Sequence, residues 1–135
     1  QKLCLKPDIF LVDAHGFAHP YRCGLASHLG IMIGEPTIGI AKGWLFGNQE
    51  AGSRNDIAFL KAEDEVIGAV IGSKSGEKPV YVSVGHMVSL ETAIKIVKHC
   101  TSQTRIPEPI LKAHQIAASE REKMKSFTIN RLGMR

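Results

Sequence analysis

The length of its apolar runs constrains this chain most. Asp8-Ile9-Phe10-Leu11-Val12-Asp13, Thr37-Ile38-Gly39-Ile40-Ala41, Ile57–Leu60, Val66–Ile71 and Val80–Val84 are each four to six residues long. Short apolar runs bounded by Pro, Gly or acidic pairs read as strands, and a membrane helix needs about 20 apolar residues in a row. Asp64-Glu65 and Ser75-Gly76 are the turn signals between the later strands. Helical spacing occurs at three places. Leu25, Ala26, Leu29 and Met32 fall on one face, with Pro20 able to open that helix and Gly34 and Pro36 to stop it. Ser89 is a good N-cap ahead of Leu90, Ala93, Ile94 and Val97. A last helix is expected from about Ile110 to Lys125, after Pro107 and Pro109. The stretch Gly43–Asn55 is glycine-rich and polar, and is expected as a loop over the strand ends. The order β-α-β-β-β-β-α-α predicts one α/β domain over residues 1–135, a mixed sheet flanked by helices.

Composition narrows the class further. The 135 residues are 44% hydrophobic, 22% charged and 6% aromatic, which fits a globular chain and excludes a disordered or collagen-like one. The net charge of +4 is uneven. Residues 1–111 carry eleven basic and eleven acidic side chains, whereas residues 112–135 carry six basic ones against Glu120 and Glu122. A neutral body with a cationic tail is a mild pointer to nucleic acid. Cys4, Cys23 and Cys100 contain no CxxC pair, so neither a disulfide framework nor a structural zinc site is expected. Reduced thiols, and no stretch with the charged start and apolar middle of a signal peptide, predict a cytoplasmic protein. The sequence opens at Gln1 and enters an apolar strand within ten residues, as the later part of a longer chain would.

The densest polar cluster is Asp13-Ala14-His15-Gly16-Phe17-Ala18-His19-Pro20. An Asp at the carboxyl end of a strand, where open α/β sheets place ligands, suits a divalent-metal or proton-transfer site. A capping Asp with solvated histidines is the plainer alternative. His15 and His19 are four apart, but Gly16 and Pro20 oppose the helix that a zinc pair would need. Lys42 follows a strand and precedes Gly43, where it can reach a phosphate or simply extend its ammonium into water. No P-loop precedes it. No G-x-S-x-G elbow occurs, so acyl-enzyme chemistry has no support. His28, beside Leu29, is expected as a hydrogen-bonded core histidine, His86 as a turn residue and His99 as a surface one.

Taken together, several motifs resemble the endonuclease V family. They are Val12-Asp13-Ala14-His15-Gly16, His19-Pro20, Gly24-Leu25-Ala26-Ser27-His28-Leu29-Gly30 and Pro36-Thr37-Ile38-Gly39-Ile40-Ala41-Lys42. Tyr81-Val82-Ser83-Val84-Gly85-His86, Ser89 and Arg105-Ile106-Pro107-Glu108-Pro109 follow in the same order, so the resemblance covers roughly residues 7–118. It implies an RNase H-like fold. It also implies a magnesium-dependent endonuclease, with manganese as the alternative metal, that cuts the second phosphodiester bond 3′ to deoxyinosine in DNA or inosine in RNA. By that resemblance Asp13 is a metal-binding aspartate, Lys42 the active-site lysine and His19 a histidine near the scissile phosphate. His114 falls on a last-helix position close to the metal. Ala14, Gly16, Gly24, Leu25, Gly39 and Leu45 fall on or near the pocket for the flipped base, which must leave the stack before it can be read.

Three residues depart from the family pattern. Ala14 stands where members usually have Gly, and its methyl should tighten the pocket. Tyr21 and Met87 each stand where Arg is frequent, leaving Arg22 and the basic tail to meet phosphates. The family's metal site also uses an Asp and a Glu upstream of Asp13, neither of which lies in these residues. These 135 residues alone are therefore expected to bind magnesium weakly and not to cut. The alternative function is a catalytically incomplete module that binds inosine or nucleic acid.

Overall fold

The computed structural model describes residues 5–50, 56–72, 78–101 and 104–132, with side chains of the last helix described to residue 127. The strands are β1 (Phe10–Val12), β2 (Thr37–Ala41), β3 (Asn48–Gln49), β4 (Ile57–Ala62), β5 (Glu65–Ile71) and β6 (Val80–His86). The helices are α1 (Leu25–Ile33), α2 (Leu90–Cys100) and α3 (Glu108–Leu132). One mixed sheet runs in the order β1-β2-β6-β5-β4-β3. β1 and β2 are parallel, and every other neighbouring pair is antiparallel. The expected mixed sheet flanked by helices is what forms.

Strand alternation sorts β2 between two faces. Ile38 and Ile40 turn to one side, where they join Val80, Val82, Ala93, Val97 and Ile110 in the larger core under α2 and the start of α3. Thr37 and Gly39 turn to the other side and meet α1 and the Asp13–Gly16 loop. A second core of Ala18, Ala58, Leu60, Ala62, Ile67 and Val70 lies toward β3, with Phe17 and Phe46 packed on it.

Several local expectations are corrected. α1 begins at Leu25 with Gly24 as its N-cap, so Pro20 does not open it. Its buried residues are Ala26, Ser27 and Gly30, while Leu25 and Met32 are exposed. The physical reason is close approach: a Cβ on Gly30 would collide with the His86 side chain and with Thr37 Oγ1, so only small residues fit between helix and sheet. His28 is exposed on this helix and is not a core histidine. The expected Gly43–Asn55 loop contains β3, paired with β4 through Asn48–Lys61 and Gln49–Leu60. The β4–β5 turn falls on Glu63-Asp64, one residue earlier than expected, with Glu63 in the left-handed region at φ 57°. The Ser75-Gly76 turn and Cys4 lie outside the described residues. His86 ends β6 instead of sitting in a turn, and α3 runs longer than expected. Gly34 does close α1 in the left-handed region, the Ser89 hydroxyl does accept from Thr92 N at 3.1 Å, and His99 is exposed.

The chain leaving β1 is pressed against the sheet. Gly16 N donates to Ser83 Oγ at 2.9 Å and Phe17 N to the Val84 carbonyl at 2.7 Å. A Cβ on Gly16 would overlap that carbonyl, and one on Gly39 would fall 2.7 Å from the Ala14 carbonyl oxygen. Gly16→Ala should therefore lift the loop and break both bonds. We expect a loss of about 2–4 kcal/mol, read as a fall of roughly 10 °C in the thermal midpoint. An unchanged midpoint would mean that the loop has slack.

Candidate active site

Parallel neighbours carry their carboxyl ends to the same edge of a sheet. The register pairs Val12 of β1 with Gly39 of β2, so Asp13 and Lys42 leave the sheet side by side. His114 reaches the same point from the second turn of α3, which Pro107 and Ile110 anchor in the core. Lys42 Nζ donates to Asp13 Oδ2 at 2.8 Å, and His114 Nε2 lies 2.6 Å from the same oxygen. The two nitrogens are 3.0 Å apart. A lone pair on His114 Nε2 would face the carboxylate, so the assignment that satisfies Asp13 puts a proton on Nε2 that is donated to Oδ2. Two donors then crowd one oxygen, an arrangement tolerable only around an anion.

Burial pushes the Asp13 carboxyl up, but the hydrogen bonds from Lys42 and His114, helped by their charge, outweigh it and hold its pKa below the ordinary value. Asp13 is thus ionised at neutral pH.

Two further side chains fix the loop that follows Lys42. The Arg105 guanidinium donates to the carbonyl oxygens of Lys42 and Pro79, both at 3.0 Å, and to that of Lys78. It ties the approach to α3 to the ends of β2 and β6. His15 Nε2 is 3.0 Å from the Gly43 carbonyl and is its donor, while His15 Nδ1 is buried with no partner among the described residues. Burial is the main reason that His15 titrates below its ordinary value. The sign follows from linkage: the unfolded chain takes up the proton first, so stability from a neutral His15 is complete above the ordinary histidine pKa and declines as pH falls below it. His15→Gln should flatten that decline in a series of thermal melts between neutral and mildly acidic pH. Arg105→Lys should lower the thermal midpoint by a few degrees, because one ammonium cannot span three carbonyls and each hydrogen bond lost at this largely exposed site costs about 0.5–1.5 kcal/mol. Neither role was read from the sequence, although an Arg two residues before a helix-leading Pro was visible in the motif Arg105-Ile106-Pro107.

The remaining candidate residues form two groups. Ala14, Gly16, Gly24 and Gly39 meet in one backbone layer beside Asp13: a Cβ on Gly24 would strike the carbonyls of His15 and Gly16, and one on Gly39 would strike the Ala14–Gly16 backbone. Leu25, next to Gly24, and Leu45, in the loop after Lys42, are exposed, 64% and 44% respectively. His19 is not drawn into the Asp13 cluster. Its Nδ1 accepts from Tyr21 N at 3.2 Å and its carbonyl accepts from Arg22. Arg22 donates to Glu65 Oε2 at 2.9 Å and lies against the rings of Phe46 and Phe17. Among the described residues no group of three or more His, Cys, Asp or Glu side chains could hold a metal, so Asp13 and His114 stand as a pair of donors.

A mixed sheet of this topology, with its site at the ends of the parallel pair, defines the RNase H-like class of fold. The sequence model for endonuclease V matches residues 1–115, and the chain belongs to the endonuclease V family. It is 46% identical over 121 residues to endonuclease V of Trichormus variabilis, covering 88% of this chain and 55% of that protein. It is 39% identical over 137 residues to the Gloeobacter violaceus protein, covering 97% and 54%. Among solved structures, Streptomyces avermitilis endonuclease V superposes with a TM-score of 0.81 at 37% identity, over 90% of this chain and 54% of that one. Ciona intestinalis endonuclease V, in complex with a 23mer DNA containing an inosine followed by a ribo-adenosine, gives 0.78 at 38% identity, over 89% and 56%. The chain therefore spans about half the length of the relatives it matches.

Proposed function

We propose that these residues form the later part of a metal-dependent endonuclease that cleaves the second phosphodiester bond 3′ to deoxyinosine in DNA or inosine in RNA. The observation that carries this reading is the meeting of Asp13, Lys42 and His114 at the ends of two parallel strands. The Ciona relative binds inosine-containing DNA, and the same kind of substrate is proposed here.

The donor set fits one side of a divalent site. Asp13 offers hard carboxylate oxygen, which suits Mg²⁺ or Mn²⁺, and His114 offers Nε2 once its proton has left. Bound there, the ion would supply Lewis acidity and a more acidic water. Lys42, tied to Asp13 in the free protein, carries the positive charge that can meet negative charge developing on the phosphate. The Gly16, Gly24 and Gly39 layer lets backbone approach the displaced base closely. His19 and Arg22 lie one loop away, suited to holding the strand. A nuclease of this kind, with no helix among the described residues long and apolar enough to cross a membrane, is proposed to work in the cytoplasm.

The meeting of two candidate donors among the described residues, Asp13 and His114, also favours a second reading, in which these 135 residues bind inosine-containing strands without cutting them. One assay separates the two. The chain, and the longest gene product that contains it, are each incubated with magnesium and inosine-containing or inosine-free strands. Cleavage 3′ to inosine by the longer product alone supports the main reading. Binding by both without cleavage supports the second. Cleavage at a normal rate by the 135 residues alone would overturn the expectation that further carboxylates are required.

A further inference from the structure

Trp44 is the sole tryptophan of the chain, and it is 63% exposed. A ring of this size left in water forgoes the stabilisation that burying an aromatic supplies. Its polar edge does not explain the exposure, because Nε1 donates to the Gly47 carbonyl at 2.7 Å. The indole is thus pinned by its N–H within its own loop, and what remains in contact with solvent is ring carbon.

Its position is as specific as its exposure. Trp44 lies two residues after Lys42 and directly before Leu45, in the loop whose first carbonyl His15 holds. It lines a cleft of about 540 Å³ together with Pro20, Arg22, Phe46, Asn48 and Lys61. That volume lies in the range of small-ligand sites. The lining combines flat apolar faces with two cations, an amide and one carboxylate, Glu63, at its edge. Arg22 stands 5.4 Å from the centroid of the Phe46 ring, and in the free protein it pairs with Glu65 while Lys61 pairs with Glu50 at 2.8 Å. Both carboxylates are more than half exposed, and surface pairs of this kind yield readily to a better anion.

A flat ring held at its edge, beside cations whose partners can leave, is the composition of a single-strand nucleic-acid subsite. We propose that this cleft is a second nucleotide subsite, in which a base neighbouring the one held near Leu45 stacks on Trp44 while its phosphate meets Lys61 and Arg22. The proposal rests on the nuclease reading above and adds to it the residue that grips the flanking strand.

The sole tryptophan is its own probe. Trp44 emission is followed as the chain is titrated with short single strands, deoxy and ribo in parallel. Binding is measured independently by the anisotropy of an end-labelled strand. The expected result is saturable quenching that tracks the anisotropy curve, and the arm with the tighter curve identifies the preferred sugar. Trp44→Ala should weaken binding about 5- to 100-fold, and Trp44→Phe, which keeps a stacking face, only about threefold. Thermal melts of both variants check that they fold. Binding that leaves the emission unchanged, or equal affinity for Trp44→Ala, overturns the subsite and leaves the nuclease reading standing. Quenching by a proline-rich peptide but by neither strand assigns the cleft to a protein partner and overturns it as well. Failure of every strand to bind overturns the subsite, while the nuclease reading is decided separately by cleavage with the longer gene product.

Discussion

On the proposed function, Asp13→Asn in the longest gene product that contains this chain should reduce metal-dependent cleavage at least ~10³-fold while the protein stays folded. Asn is nearly the same shape, so the glycine layer beside it need not move. What is lost is the charge that draws Lys42 and His114 to one oxygen and that would hold a divalent ion. The effect on stability should be small, because ion pairs this exposed contribute about 0–1 kcal/mol. The pH dependence separates the two effects. A carboxyl whose pKa is lowered in the fold adds stability above its unfolded pKa, and that stability is lost as pH falls through the lowered value. Asp13→Asn should therefore melt slightly lower than the parent at neutral pH, and the difference should close as pH falls through the acid limb. Cleavage near the normal rate would remove Asp13 from the chemistry.

Lys42→Ala should slow single-turnover cleavage by about 10²-fold and change strand affinity less than about fivefold. The asymmetry follows from where the ammonium stands. In the free protein it is neutralised by Asp13 at 2.8 Å, so it adds little to ground-state attraction for a strand. Its charge becomes most useful when negative charge grows on the reacting phosphate. Lys42→Arg should rescue poorly, because the planar fork cannot occupy the space between Asp13 and His114 that a compact ammonium fills. A large affinity loss at an unchanged rate would make Lys42 a strand anchor.

Much of this architecture was legible because strand length and strand ends are local properties. The runs around Leu11, Ile38, Leu60, Val70 and Val82 were short, apolar and punctuated, and each became a strand. Asp13 and Lys42 could be placed at strand ends for the same reason. His114 could not: it lies 101 positions from Asp13, and only the docking of α3 through Pro107 and Ile110 brings them together. Its position came from the resemblance to the family. Helix α1 misled because periodicity registers where apolar residues lie and is blind to how closely the sheet approaches. Against Thr37 and His86 the helix comes so near that Ala26, Ser27 and Gly30 take the interface while Leu25 and Met32 turn outward. Arg105 escaped notice because its partners are three carbonyl oxygens, which have no sequence signature.

The start of helix α3 is anchored in the core through Pro107 and Ile110. Among the described side chains of the helix Ile110 is the last buried one, and residues 112–127 are exposed. Backbone amides should accordingly exchange with deuterium in a gradient, slow near Ile110 and approaching free-peptide rates toward the far end. His114 sits on the protected side of that gradient, one turn beyond the anchor. Melting of the outer turns can then proceed without disturbing the histidine, because fraying enters from the opposite end. A dye, a purification handle or a fused domain attached near Phe127 would ride on an exposed segment several turns from the Asp13, Lys42 and His114 cluster. The same attachment near Ile116 would pull directly on it.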